Sequence, residues 1–130
     1  MTYDVVQCHD GWKKLYQPII DEVIDFDIRQ TDASKRIGIK SIEMEDGAMV
    51  ISLINTHNAS DKLLDKIDKA ELLSERTCEF CGDTKNVGTT LNYNYQTCCR
   101  ECWEKHILPK RPQSTWKNYK TTKMYSGKNL

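Results

Sequence analysis

Histidine is scarce in this sequence of 130 residues, with only His9, His57 and His106, and no companion motif surrounds any of them. General acid–base catalysis needs positioned groups with shifted pKa values, which isolated histidines do not supply. The chain also lacks a glycine-rich phosphate loop, a Gly-x-Ser-x-Gly nucleophile turn and a His-Glu-x-x-His helix. An enzyme is therefore not expected, and neither is a small-molecule substrate. No run approaches the roughly 18 apolar residues that cross a bilayer, so no membrane partner is expected. Met1-Thr2-Tyr3-Asp4 opens the sequence without the basic segment and apolar stretch of a secretory leader. A cytoplasmic, reducing environment follows as the expectation.

Cysteine, by contrast, is plentiful and ordered. Four of the six cysteines fall in the pattern Cys78-x2-Cys81-x17-Cys99-x2-Cys102, two pairs at a separation typical of zinc sites. Each pair presents two thiolates to one tetrahedral Zn²⁺ at about 2.3 Å per bond. Four protein ligands leave no open position for water or substrate, so one structural zinc is expected. The competing reading, two disulfides, fits poorly with a reducing compartment. Cys98 leaves the register open: it could replace Cys99 as the third ligand, but Cys99 keeps the two-residue gap to Cys102 and is taken as the ligand. Cys8 is expected as a free buried thiol, and His9 beside it does not complete a second site.

The residues around the ligands say how the site is built. Gly82 after Cys81 permits a tight turn at positive φ. Residues 87–95 read as a short hairpin. Residues 100–108 lack glycine and proline until Pro109 and read as a helix carrying the second cysteine pair in its first turn. Knuckle, hairpin and helix in that order make a treble-clef finger. His106, one turn beyond Cys102, is expected as a surface or packing residue. An HNH-type nuclease needs a histidine between Gly82 and Cys98, and there is none. The gap of 17 residues also resembles the GATA-type zinc finger, over residues 78 to 108. That finger's Leu-Trp-Arg-Arg segment has no counterpart here, so the resemblance does not imply DNA binding.

Before the finger, Trp12, Leu15, Tyr16, Ile19, Ile20, Val23 and Ile24 form the stripe of an amphipathic helix over residues 11–26. Asp10 is its expected N-cap, and Pro18 should kink it. Residues 37–44 and 48–54 read as strands around the turn Glu45-Asp46-Gly47. The alternation slips between Ile39 and Ile42, which marks a bulge. A second helix over residues 60–75 carries Leu63, Leu64, Ile67, Ala70 and either Leu72 or Leu73 at helical spacing. The segments Gly11-Trp12, Leu15 and Pro18-Ile19-Ile20, the hairpin, and Ala70-Glu71-x-x-Ser74-x-x-Thr77-Cys78-Glu79-x-Cys81-Gly82 resemble a group of small phage and prophage zinc-finger proteins, over residues 8–106. The hairpin departs from the Lys-Phe-Gly-Gly-Leu-Arg-Phe type sequence common in that group. The resemblance implies this architecture and a phage or bacterial cytosolic origin, and it implies no activity.

The expected fold class is thus α+β: a helix–hairpin–helix region at residues 1–77, a treble-clef zinc finger at 78–108, and a basic, flexible tail at 109–130. Charge divides along the same line. Residues 1–75 hold nine basic and fifteen acidic side chains, net −6, whereas residues 76–130 hold ten and four, net +6. No acidic residue follows Glu104. A basic segment interleaved with aromatics suits nucleic acid, cations meeting phosphates and rings meeting bases. Arg100, Lys105, Lys110, Arg111, Lys117 and Lys120 are the candidate phosphate contacts, and Trp116 is the candidate stacking ring. A solvated tail, or one folded onto an acidic surface, would account for the same composition. Part of the basic excess also offsets the formal −2 charge of a zinc tetrathiolate. The alternative function is a phage-encoded adaptor or inhibitor that binds a host protein, its acidic first half attracting a basic surface. Asp21, Glu22, Asp25 and Asp27 are read as a solvated helix face rather than a magnesium site.

Overall fold

The computed structural model describes residues 5–91 and 95–127. Its first long element follows from the apolar stripe. A 3-10 turn, Asp10–Trp12, runs into α1, Lys13–Ile28, and Trp12, Tyr16, Ile19, Ile20 and Val23 are buried along one face. Asp10 is not the cap expected: it lies inside the 3-10 turn, and no side chain caps either start. Pro18 lies within α1 without ending it, its ring exposed. Only the Lys14 carbonyl loses its helical donor there.

Strands β1, Ile39–Glu45, and β2, Ala48–Leu53, form an antiparallel hairpin. Asp46 and Gly47 turn it with φ of 51° and 85°, the pair of left-handed conformations that a two-residue type I′ turn requires. The register shifts between Ile39 and Ser41. That irregularity turns both Ile39 and Ile42 into the core, which strict alternation would forbid at a spacing of three.

Helix α2, Asp61–Ser74, starts at Ser60, whose hydroxyl accepts the Leu63 amide at 3.1 Å. Leu63, Ile67, Ala70 and Ser74 are buried, while Leu72 and Leu73 are 67% and 49% exposed. Neither leucine continues the stripe, because the inward position at the last turn belongs to Ser74. The Ser74 hydroxyl accepts the Met49 amide at 2.8 Å, and Glu71 accepts that of Ile51, also at 2.8 Å. These contacts cover N–H groups on the outer edge of β2, which would otherwise be left without partners. On the other side of the hairpin, the chain at Val5–Gln7 pairs with Ile42.

The C-terminal half is built on a four-stranded antiparallel sheet in the order β4-β3-β5-β6. Its strands are β3, Val87–Leu91; β4, Thr97–Cys99; β5, Thr115–Asn118; and β6, Met124–Ser126. Residues 92–94, where the expected hairpin of residues 87–95 would turn, lie outside the described residues. The expected helix over 100–108 is instead a short α3, Arg100–Cys102, followed by a π turn, Trp103–Ile107.

The expected flexible tail is corrected most. Its described part supplies two strands, with β5 paired along β3 and β6 along β5. The reason lies in Ser114, Trp116 and Asn118, which alternate inward and are all buried. The Trp116 ring N–H donates to the Cys98 carbonyl at 2.9 Å, and the Ser114 hydroxyl accepts the Trp103 ring N–H at 2.9 Å. The whole is α+β, with one apolar cluster between α1, α2 and the hairpin and a second around the cysteines, Trp103, Ile107 and Trp116.

Candidate metal centre and basic surface

Two backbone segments bring the four cysteines together. Cys78 and Cys81 lie in the loop after α2, where Gly82 at φ 83° closes a turn with its amide on the Cys78 carbonyl at 2.9 Å. Cys99 ends β4 and caps α3, its sulfur accepting the Cys102 amide at 3.4 Å. The sulfurs of Cys78, Cys81, Cys99 and Cys102 all lie within 4.8 Å of one another. A tetrahedral ion with sulfur bonds of about 2.3 Å holds its ligands about 3.8 Å apart, and Cys81 Sγ stands 3.7 Å from Cys99 Sγ. A disulfide needs about 2.05 Å, and all six cysteines are free. The four thiols can therefore hold a metal ion.

Electrostatics points the same way. Burial works against ionising Cys78, yet the N–H groups of Cys81, Cys99 and Phe80, aimed at its sulfur, hold its pKa below the ordinary thiol value. Burial, then the nearby Cys78 sulfur, pushes Cys99 up to about 11, and burial followed by the hydrogen bond with Cys99 raises Cys102 further. Four anionic sulfurs at this spacing repel one another, and a bound cation removes the conflict.

Cys98 is not part of the group. It precedes Cys99 in β4, so its side chain points to the other face, where it is fully buried and its pKa is raised, chiefly by burial. The structure thus selects Cys99 over Cys98. Cys8 is half-buried, its pKa raised to about 12 by burial first and by Glu79 second. His106 stacks on Phe80 with ring centroids 4.8 Å apart.

The basic candidates divide by environment. Lys105, Lys110, Arg111, Lys117 and Lys120 are exposed. Arg100 is engaged, paired with Glu104 at 3.0 Å and lying 3.8 Å over the Tyr125 ring. Trp116 is only 1% exposed, so its ring offers no face to a base and the stacking role expected for it is withdrawn. Two cations went unnoticed in the sequence: Arg76, 4.4 Å over the Tyr119 ring, and Lys85 share a cleft with Lys120. Arg76 follows α2 and Lys85 precedes β3, and the pairing of β5 with β3 brings Lys120 beside them.

The acidic row of α1 is occupied by structural contacts. Asp27 accepts the amides of Ile37 and Gly38 at 2.8 and 2.9 Å. Asp25 pairs with Arg29 at 3.0 Å, Glu22 with Lys66 at 2.6 Å, and Asp21 accepts from Gln17 at 3.0 Å. Among the described residues, the four cysteines are the group of three or more potential ligands that converges. No helix among them is long and apolar enough to cross a membrane. Comparison with family models, curated proteins and solved structures found no match to this chain.

Proposed function

We propose that this chain is a zinc-stabilised binding module, a treble clef carried on a helix–hairpin–helix region, that contacts nucleic acid through the finger helix and the basic C-terminal segment. Zinc is the metal that an all-thiolate, near-tetrahedral set in a largely buried site suits best: soft sulfur ligands disfavour magnesium and calcium. Cys78, Cys81, Cys99 and Cys102 would hold it, and it would supply folding energy rather than chemistry. The protein acts by binding, in the cytoplasm of a bacterial or phage-infected cell.

The observation that carries the nucleic-acid reading is the ordered basic surface. Lys105, Lys110, Arg111, Lys117 and Lys120 all face solvent in a stretch of sequence without acidic residues, Lys117 on β5 and the others in the turns around it. Cations fixed on strands and turns give up less freedom on binding than cations on a loose tail. Each that meets a phosphate releases a counterion. The protein-binding alternative draws on the net −6 of residues 1–75.

The test is fluorescence anisotropy of labelled duplex and single-stranded DNA and RNA at two salt concentrations. Affinity should fall with salt at a log–log slope of about −0.9 per neutralised duplex phosphate, and K117E/K120E should weaken binding to every sequence alike. Absence of binding at low salt would overturn the reading and direct attention to a host protein captured by pull-down.

A further inference from the structure

Three separate chain segments meet at a surface cleft of ≈ 500 Å³ beside the metal centre. His9 comes from the segment before α1, Phe80 from the loop between the first two cysteines, and His106 from the π turn. Their rings form a ladder, with His9 and Phe80 centroids 4.5 Å apart and Phe80 and His106 4.8 Å apart and stacked. His9 and His106 are exposed and Phe80 is half-buried. Lys110, Arg111 and Gln96 line the same cleft. Asp10 lines it too, one carboxylate against the two cations. Behind the ladder, the buried Glu79 carboxylate accepts the His9 amide at 3.2 Å and holds that segment in place.

We propose that this cleft takes one unstacked nucleotide of a single-stranded nucleic acid, its base on the outer face of the exposed His106 ring that Phe80 backs, and its phosphate at Lys110 and Arg111. Every base has a π face, so ring stacking accepts bases of any sequence, and guanidinium and ammonium groups track the backbone. Paired bases inside a duplex offer no free face, which makes the cleft selective for single strands. Its size lies within the range of about 300–1,000 Å³ usual for small-ligand sites. The proposal rests on the nucleic-acid reading above and adds to it the site and the form of the strand.

The experiment measures affinity for a labelled thymidine oligonucleotide and for a duplex of equal length, at one salt concentration, with wild type, H106A and F80L. Zinc content and far-UV circular dichroism are checked for each variant, and H106A is the primary variant because its ring is exposed. Wild type should favour the single strand, and H106A should lower the ratio of single-strand to duplex affinity roughly tenfold. An unchanged ratio in folded H106A, with both nucleic acids still bound, would overturn this inference and leave the broader function standing. Absence of all binding in wild type would overturn both.

Discussion

The amide of Gly11 donates to the carbonyl of Glu79 at 2.7 Å, and a methyl group on Gly11 would lie 2.2 Å from the carbonyl oxygen of Cys78. The start of α1 thus rests directly on the backbone between the first two cysteines of the cluster. Trp12 strengthens the same joint by donating its ring N–H to the Thr77 carbonyl at 2.8 Å, and Lys14 reaches the Gly82 carbonyl at 2.6 Å. Neither neighbouring backbone can yield without moving a ligand. G11A should therefore destabilise the fold by on the order of 2 kcal/mol, the scale of overpacking, and speed metal loss to a chelator. Thermal melts with chelator competition check this; wild-type values in both would show that the joint is looser than described.

Substitutions at Cys98 and Cys99 separate two neighbours with different roles. C99S should remove a ligand and with it the bound metal. C98A should keep the metal and lose only packing, on the order of 1 kcal/mol. Metal content by elemental analysis, beside denaturant melts, distinguishes them, and metal loss in C98A with retention in C99S would reverse the assignment.

Trp116 should behave as a core residue. W116A removes a fully buried ring and its hydrogen bond to Cys98, and should cost about 3–5 kcal/mol. A melt unchanged by this substitution would mean that β5 contributes nothing to the finger.

Glu71 gives a pH signature away from the metal. Burial raises its pKa, the Ile51 amide works against that shift, and Asp68 adds to it. A carboxyl group whose folded pKa is raised lends its full stability below the unfolded value of 4.5 and loses it as pH rises through the folded value. E71Q keeps an acceptor for Ile51 and does not titrate. Stability of E71Q relative to wild type should thus increase as pH rises from 4.5 towards neutrality. A difference that stays flat across that interval would remove the shift.

What could be read from the chain was whatever is local. Asp46-Gly47 announces a type I′ turn by composition, Trp12 to Val23 announces a buried helix face by spacing, and the cysteine pairs announce a common ligand by theirs. The slip between Ile39 and Ile42 even marks the irregular register. Illegible features depend on distant partners. Ser74 takes the inward place of a leucine because the Met49 amide needs an acceptor. Strands β5 and β6 are short and polar, and their order comes from Trp116 reaching Cys98 and Ser114 meeting Trp103. Asp10 forfeits its capping role because the chain has already begun to turn at that residue. Likewise, the ring ladder at His9, Phe80 and His106 joins positions with no sequence relation to one another.

The central claim, a single zinc held by four thiolates, is tested most directly by native mass spectrometry of the intact chain. Metal binding to thiols displaces their protons. The account predicts one zinc per chain, with a mass increment equal to zinc less the four protons of Cys78, Cys81, Cys99 and Cys102. A folded chain that carries no zinc, or that binds it without releasing those protons, would contradict it.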